Sequence, residues 1–333
     1  MSEIAVEKTR GELVESKHRA IIAIIDTNNN FVGYLGNPDT VTYWRSAAKP
    51  LQVFPLLERN GMEAFGFSLK ELAVMCASHS GEEFHTEAVK SILNKIGAAE
   101  SMLKCGIHPP LDKKTREKLR EENRPITEIY NNCSGKHASM LALAKLMEVP
   151  LDNYWEIDHP VQQEMLRTIS KLTGLKISDI TVAKDGCGVP VFGLPVTKMA
   201  RAYTYFASSN MNTGWQNLFD LVYKAMTTHP KMVAGTDKFN TRLMEVTKGE
   251  IIAKSGAQGV FSFAHPRQGL GGTIKVEDGS DAAIGPIMTE VLHQLKLVGN
   301  QALSELEPFR KPPIKNVRKE IIGESRPAFS LRQ

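Results

Sequence analysis

The sequence predicts an α+β protein. Short apolar, β-branched runs lie toward both ends of the chain, a long stretch with helix-like periodicity lies between them, and no regular strand–helix alternation connects the two. From the first end, Ala20 to Asp26 is apolar and extended, Asn28, Asn29 and Asn30 supply turn chemistry, and Phe31 to Leu35 resumes the strand pattern. Val41 to Trp44 forms a third short strand that stops at Arg45 and Ser46. Helical spacing begins at Lys49 and runs to Arg59 through Leu51, Phe54 and Leu57, with Gly61 as the stop. Ser68 and Glu71 have the spacing of a capping box for the helix that follows. Glu82 to Ile96 is a further helix closed by Gly97, and the charged run from Lys113 to Glu122 is a solvated one. Ser134 caps a helix reaching Met147, with Met140, Leu143, Ala144 and Met147 on its buried side. Helices are also expected over Val161–Leu172, Thr197–Phe206 and Asn217–Thr227. Strand character returns at Glu250 to Lys254, Val260 to Phe263 and Thr273 to Val276, before a last helix from Ala282 to Leu295. The simplest assembly is an antiparallel sheet from both ends of the chain with the helical middle on its face. That gives one domain over residues 1–333, with a helical subdomain at roughly 50–245.

Composition narrows the function. Forty-one basic and 37 acidic residues leave a net charge of +4, too weak and too scattered for a nucleic-acid partner. Arg310, Lys311, Lys315, Arg318 and Lys319 are interleaved with Glu305, Glu307 and Glu320, which reads as a solvated terminal segment. No apolar stretch has the length of a membrane span, and the polar first residues lack a signal-peptide pattern, so a cytoplasmic protein with no membrane partner is expected. Cys76, Cys105, Cys133 and Cys187 are too dispersed for a disulfide framework.

Three segments carry chemistry. Ser46-Ala47-Ala48-Lys49 sets a serine three residues before a lysine at a strand-to-helix junction, where the hydroxyl serves as nucleophile and the amine as its base. Lys254-Ser255-Gly256 follows far downstream on a strand-like segment; a surface lysine before a turn has the same pattern. Taken in order, an S-x-x-K and a K-S-G are the signature elements of the serine β-lactamase and penicillin-binding group. The third segment is Cys133-Ser134-Gly135-Lys136-His137, with Asp185-Gly186-Cys187-Gly188 downstream. Two cysteines and a histidine suit Zn²⁺, but the spacing matches no common zinc motif, and a helix start carrying Gly135 and Lys136 also suits an anion.

Six motifs in order make the chain resemble the asparaginase II family, the thermolabile, rhizobial-type L-asparaginases. They are Arg45 to Pro50, Cys76 to Glu82, Asn131 to His137, Asp185 to Pro190, Ala253 to Val260 and Lys275 to Ser280. The resemblance implies a serine β-lactamase-like fold, a homodimer, and hydrolysis of L-asparagine to aspartate and ammonia. It pairs Ser46 with Lys49 and Ser78 with Lys254 as catalytic serine–lysine sets. It implies Cys133, Lys136 and Cys187 as the protein ligands of a zinc ion, with no organic cofactor. Asp185 would hold the substrate's amino group, and Arg45, Asn132 and His137 would line the pocket.

A serine hydroxyl needs a base, and an amine serves as one only when neutral, a form that burial and neighbouring positive charge both favour. In the expected reaction Lys49 takes the Ser46 proton, backbone N–H groups at the helix start meet the oxyanion, and Ser78 with Lys254 protonates the departing ammonia. Ser78 can exchange roles with Ser46. A glutaminase or another small-amide hydrolase is the neighbouring alternative, since one methylene is worth only about 1–3 kcal/mol of discrimination. A β-lactamase shares the chemistry but acts outside the cytoplasm. The non-enzyme alternative is a zinc-stapled binding protein, and a chain of 333 residues has little need of such a staple.

Overall fold

The computed structural model describes residues 1–207 and 214–333. The chain divides into two units. One comprises Met1–Ala47, Leu194–Met211 and Arg242–Gln333; the other comprises Ala48–Gly193 and Asn212–Thr241. Among the described residues eleven strands run in chain order: β1 (Glu3–Arg10), β2 (Leu13–Asp26), β3 (Phe31–Leu35), β4 (Val41–Tyr43), β5 (Thr181–Lys184), β6 (Pro190–Pro195), β7 (Ile252–Gly256), β8 (Val260–His265), β9 (Leu270–Val276), β10 (Pro313–Lys315) and β11 (Ile321–Pro327).

The first unit is built on an antiparallel sheet ordered β10-β11-β1-β2-β9-β8-β7, with β3 also paired to β2. Strands from the start and the finish of the sequence therefore lie side by side, as the pattern of apolar runs predicts. Ala20 to Ile25 of β2 is buried on both faces, which is why it reads as a continuous apolar run and not as an alternation. The helix Val196–Thr204 covers one face, setting Val196 and Ala200 against Ile21, Ala23 and Ile25. Its approach to β9 needs glycine: a β-carbon on Gly271 would sit 2.5 Å from both the Ala200 carbonyl oxygen and the Thr204 nitrogen. The helices Ile284–Gln294 and Asn300–Arg310 are joined through Arg310, whose Nη2–H and Nε–H both donate to Glu290 Oε2, at 2.6 and 2.8 Å.

The second unit is helical. Its central helix, Ser134–Leu146, is buried from Ser134 through Ala144. Gly135 admits the neighbouring helix, because a β-carbon there would lie 2.2 Å from the Val74 carbonyl oxygen. Ser68 forms the expected capping box with Glu71 at the start of Leu69–Met75. The pair β5 and β6 runs antiparallel from Thr181 opposite Gly193 to Lys184 opposite Pro190. The intervening loop is closed by Asp185 N–H to Val189 O and Gly188 N–H to Asp185 O, at 2.8 and 2.9 Å.

Several sequence expectations need correcting. The Lys49–Arg59 helix is two short helices, Lys49–Gln52 and Phe54–Glu58, each with a proline at its start that breaks the hydrogen-bond ladder. Gly61 opens the helix Gly61–Phe65 and stops nothing; the left-handed residue before it is Asn60, at φ 56°. Ser134 is the first helical residue and not a side-chain cap, since its hydroxyl bonds to the Ile129 carbonyl. Met147 is only half-buried. A further helix, Asn300–Arg310, follows the one expected to be last. The basic terminal segment is solvated as expected, with Lys311, Lys315, Arg318 and Lys319 exposed, and it also carries strands: β10 and β11 join the sheet, and β11 pairs with β1.

Candidate active site

Three lysines are buried among the described residues, and they are the three that the sequence motifs single out: Lys49, Lys136 and Lys254. Lysine is almost never fully buried without a specific reason, so the coincidence marks functional positions.

In the first unit Ser46 lies in the single 3-10 turn Arg45–Ala48. Three contacts fix that turn. Trp44 Nε1–H donates to Ser262 Oγ at 3.0 Å, Tyr203 O–H donates to the Ala47 carbonyl at 2.7 Å, and Gly256 of β7 lies against the Trp44 carbonyl. Arg45, immediately before the serine, is left-handed at φ 53°, a conformation that non-glycine residues rarely adopt and that concentrates at functional turns. Lys254 is two residues before Gly256 on the same strand, its amine donating to the Ser255 carbonyl at 2.6 Å. The glycine of the K-S-G motif thus has a structural reason: it lets β7 lie against the turn that carries Ser46. The Ala47 N–H at that turn is turned back to the Trp44 carbonyl at 3.3 Å.

In the second unit the Lys49 amine touches four groups. They are the Ala77 carbonyl at 2.6 Å, Ser78 Oγ at 3.2 Å, Cys133 Sγ at 3.2 Å and the Asn132 carbonyl at 3.4 Å. Lys49 and Ser78 are therefore within reach of proton exchange. Ser78 comes from the turn after Leu69–Met75, and its own N–H is committed to the Val233 carbonyl at 3.0 Å. Asn131 shapes the facing turn by accepting the Cys133 N–H on Oδ1 and donating Nδ2–H to the Cys105 and Gly106 carbonyls.

One helical turn on, Lys136 donates to Cys187 Sγ at 3.2 Å. Cys133 and Cys187 are hydrogen-bonded to each other, which pulls the Cys187 thiol down toward the thiolate and pushes the Cys133 thiol up; Lys136 and Lys49 reinforce the Cys187 shift. Burial opposes the charge on Lys136, but Cys187, Cys133 and Asp185 outweigh it and hold the amine protonated. Asp185 is half-buried at the head of the loop and accepts the Gly186 N–H on Oδ1 at 2.8 Å. His137 is fully buried, its Nδ1 bonded to the Tyr154 hydroxyl at 2.7 Å, and Tyr154 also accepts the Lys104 N–H. Burial, and then Lys136, push this imidazole down to about 3, so it is neutral.

Two thiols and an amine form a nitrogen/sulfur donor set; Cys187 already favours the thiolate that a metal requires, whereas the Cys133 thiol and the Lys136 ammonium would each release a proton on binding. These residues fit the implied zinc. Among the described residues no three His, Cys, Asp or Glu side chains form a metal-binding group, so Lys136 is needed to complete the set.

Sequence reasoning missed Asn131, His79 and Tyr154. Only Asn131 and His79 lie inside motifs that it did single out, which is the one signal that pointed toward them.

No curated protein matches the chain significantly. Among solved structures it is similar to a β-lactamase from Mycobacterium bovis at 14% identity and TM-score 0.40, covering 83% of this chain and 94% of that one. It is also similar to a D-alanine carboxypeptidase from Burkholderia cenocepacia at 12% identity and TM-score 0.38, covering 87% and 92%. A penicillin-binding protein homologue from Pyrococcus abyssi, described as octameric, matches at 14% identity and TM-score 0.34, covering 83% and 73%. The model of the family described as L-asparaginase II matches residues 6–327, nearly the whole sequence, and the chain belongs to that family.

Proposed function

We propose that the protein hydrolyses L-asparagine to L-aspartate and ammonia through a serine acyl-enzyme, with a buried lysine as the base. Family membership supports amide hydrolysis, and the observation that carries the mechanism is the 3.2 Å contact between Lys49 Nζ and Ser78 Oγ. A neutral Lys49 amine has two N–H groups and one lone pair. The Ala77 and Asn132 carbonyls take the N–H groups, and the lone pair is shared between the Ser78 hydroxyl and the Cys133 thiol, both at 3.2 Å; of these two the hydroxyl is the proposed nucleophile. As Ser78 Oγ attacks the side-chain amide carbon, Lys49 accepts its proton and then delivers it to the departing nitrogen. Ammonia leaves, an ester on Ser78 remains, and water activated by the same amine releases aspartate.

This proposal regroups the expected pairs, Ser46 with Lys49 and Ser78 with Lys254, by giving Lys49 to Ser78; Ser46 is the alternative nucleophile, Lys254 the second buried lysine of the proposal, and Arg45 a substrate contact. Asp185 is the proposed partner of the substrate's ammonium group, and Asn132 and His137 support that pocket. Cys133, Lys136 and Cys187 would hold Zn²⁺, which supplies fixed positive charge for orienting substrate when bound. A homodimer in the cytoplasm is part of the same proposal. Among the described residues no helix is long and apolar enough to cross a membrane.

The test is ammonia release from L-asparagine by the wild-type protein, Ser78→Ala and Ser46→Ala. Loss of nucleophile function should lower kcat by orders of magnitude. Release by wild type, with near-absence in folded Ser78→Ala, is the expected result. Loss in Ser46→Ala alone moves the nucleophile to Ser46. No release from asparagine, with turnover of L-glutamine instead, overturns the substrate.

A further inference from the structure

We propose that His79 is a positioning residue for the Ser78–Lys49 pair, acting through its hydrogen bond to Ser134; the inference rests on the amide-hydrolase reading above. Two stretches of chain, residues 76–79 and 131–134, run beside one another, and the Lys49 amine lies in the seam between them. Its contacts come from both sides: Ala77 O and Ser78 Oγ at 2.6 and 3.2 Å from one stretch, Asn132 O and Cys133 Sγ at 3.4 and 3.2 Å from the other. The amine meets all four only while the spacing of the seam is held.

His79 spans that seam. Its N–H donates to the Asn132 carbonyl at 3.3 Å, and its ring is completely buried. Nδ1 accepts the Gly81 N–H at 3.1 Å, so the neutral ring carries its proton on Nε2. Nε2–H donates to Ser134 Oγ at 2.8 Å, and Ser134 passes its own proton to the Ile129 carbonyl at 2.9 Å. Each hydrogen in this chain has one place to go. Burial first, then His85 and Lys49, hold the imidazole neutral, so beside a proton-transferring pair it is a strut and not a second base.

The opposite flank of the serine loop is clamped separately. Ser78 N–H bonds to Val233 O, the His85 ring is stacked on His79 at 5.0 Å and donates Nε2–H to Lys231 O, and Glu82 accepts the Thr236 N–H. With that flank fixed, the His79–Ser134 bond is a side-chain tie across the seam that, with the backbone bond from His79 N–H to Asn132 O, holds Ser78 at its distance from the turn carrying Cys133. Small misplacements of reacting groups are enough to cost large factors in rate.

Two substitutions separate the ring nitrogens. His79→Asn keeps an acceptor near Nδ1 for Gly81 but cannot reach Ser134, whereas His79→Gln carries an amide N–H out to the Ser134 hydroxyl. The measurement is kcat and KM for ammonia release from the best small-amide substrate, on protein shown to be folded by circular dichroism and thermal melting. His79→Asn should lose about 30-fold in kcat with KM within twofold, and His79→Gln should stay within about threefold of wild type. Ser134→Ala, which leaves the histidine in place and guards against a misfolded His79 variant, should lose a similar factor. Combining it with His79→Asn should add little, as expected for two halves of one interaction. Wild-type kcat in His79→Asn overturns the inference, as does equal loss in the Asn and Gln variants that tracks their melting temperatures. Ser78→Ala distinguishes the levels: wild-type turnover in that variant overturns the parent reading, whereas a dead Ser78→Ala beside a fully active His79→Asn removes the role of His79 alone.

Discussion

Gly256 on β7 lies so close to Trp44 that a β-carbon added to the glycine would stand 2.9 Å from the Trp44 carbonyl oxygen and 3.1 Å from the Ala47 nitrogen. The obstacle is backbone and cannot rotate away. Gly256→Ala must therefore displace β7 or the turn carrying Ser46, and overpacking of this kind typically costs about 1–3 kcal/mol. Urea unfolding should show a loss in that range together with a fall in kcat. Unchanged stability and rate would show that the close approach is dispensable.

Ser68 tests the scaffold under the other serine. Its hydroxyl accepts the Glu71 N–H, and Glu71 Oε2 accepts the Ser68 N–H at 2.6 Å, at the start of the helix that leads to Ser78. Ser68→Ala should cost about 1 kcal/mol in urea unfolding, the usual loss for a removed N-cap. Because the helix is held at its far end by other contacts, kcat should be nearly unchanged.

Acid should weaken the fold before its carboxylates titrate. Burial pushes His85 down to about 4, with the Lys231 carbonyl and Glu82 only partly opposing it and Lys70 adding to it, and burial also holds His79 well below its usual range. Unfolded, both imidazoles bind protons near pH 6.5. Between that pH and about 4 the unfolded state therefore binds more protons than the folded one, so stability falls as pH is lowered through the window. For His85 the full effect is on the order of 3 kcal/mol. The urea midpoint should drop clearly from pH 7 to pH 5; a flat profile would mean that these rings are not held neutral. Glu71, Glu82 and Asp112, all shifted down, add their losses only at lower pH.

Metal analysis of purified protein should find about one equivalent of zinc, with one metal for one set of three donors. Cys187→Ala and Lys136→Met should each carry far less. If chelation removes the metal while the melting temperature barely moves, the ion does not hold the fold together, and a zinc-stapled binding protein is excluded. A metal-free wild type that does not take up added zinc would remove the ion from the proposal.

The chemistry-bearing residues are legible in the sequence because Lys49, Lys136 and Lys254 each stand within three residues of a serine, among alanines or glycines, in short motifs. What touches Lys49 is not legible in the same way. S-x-x-K spacing speaks only of local neighbours, whereas the contacts to Ala77, Ser78 and Cys133 arise from tertiary placement. The strands β2, β8 and β9 are readable from their apolar runs, but β1 and β11 are not. Their charged residues, Glu7 and Arg326 among them, sit opposite one another in the ladder, and such pairing is invisible until the register is known. The divided helix after Lys49 has a local cause that could have been read, the prolines at positions 50 and 55.

The pairing of β1 with β11 sets an order of events during synthesis. Arg10 closes β1, and Ile321, which opens β11, is translated about 310 residues later. At roughly 5–20 residues per second, the ribosome takes about 15 to 60 seconds to cover that distance. Throughout that interval β1 can close its hairpin with β2, but its other edge offers unpaired N–H and C=O groups to any strand that comes near. The lysine and glutamate side chains along β1, Glu3, Glu7 and Lys8, put charge on that edge while it waits. Production of the active protein should accordingly depend on temperature and on chaperone supply more steeply than the stability of the finished fold would suggest.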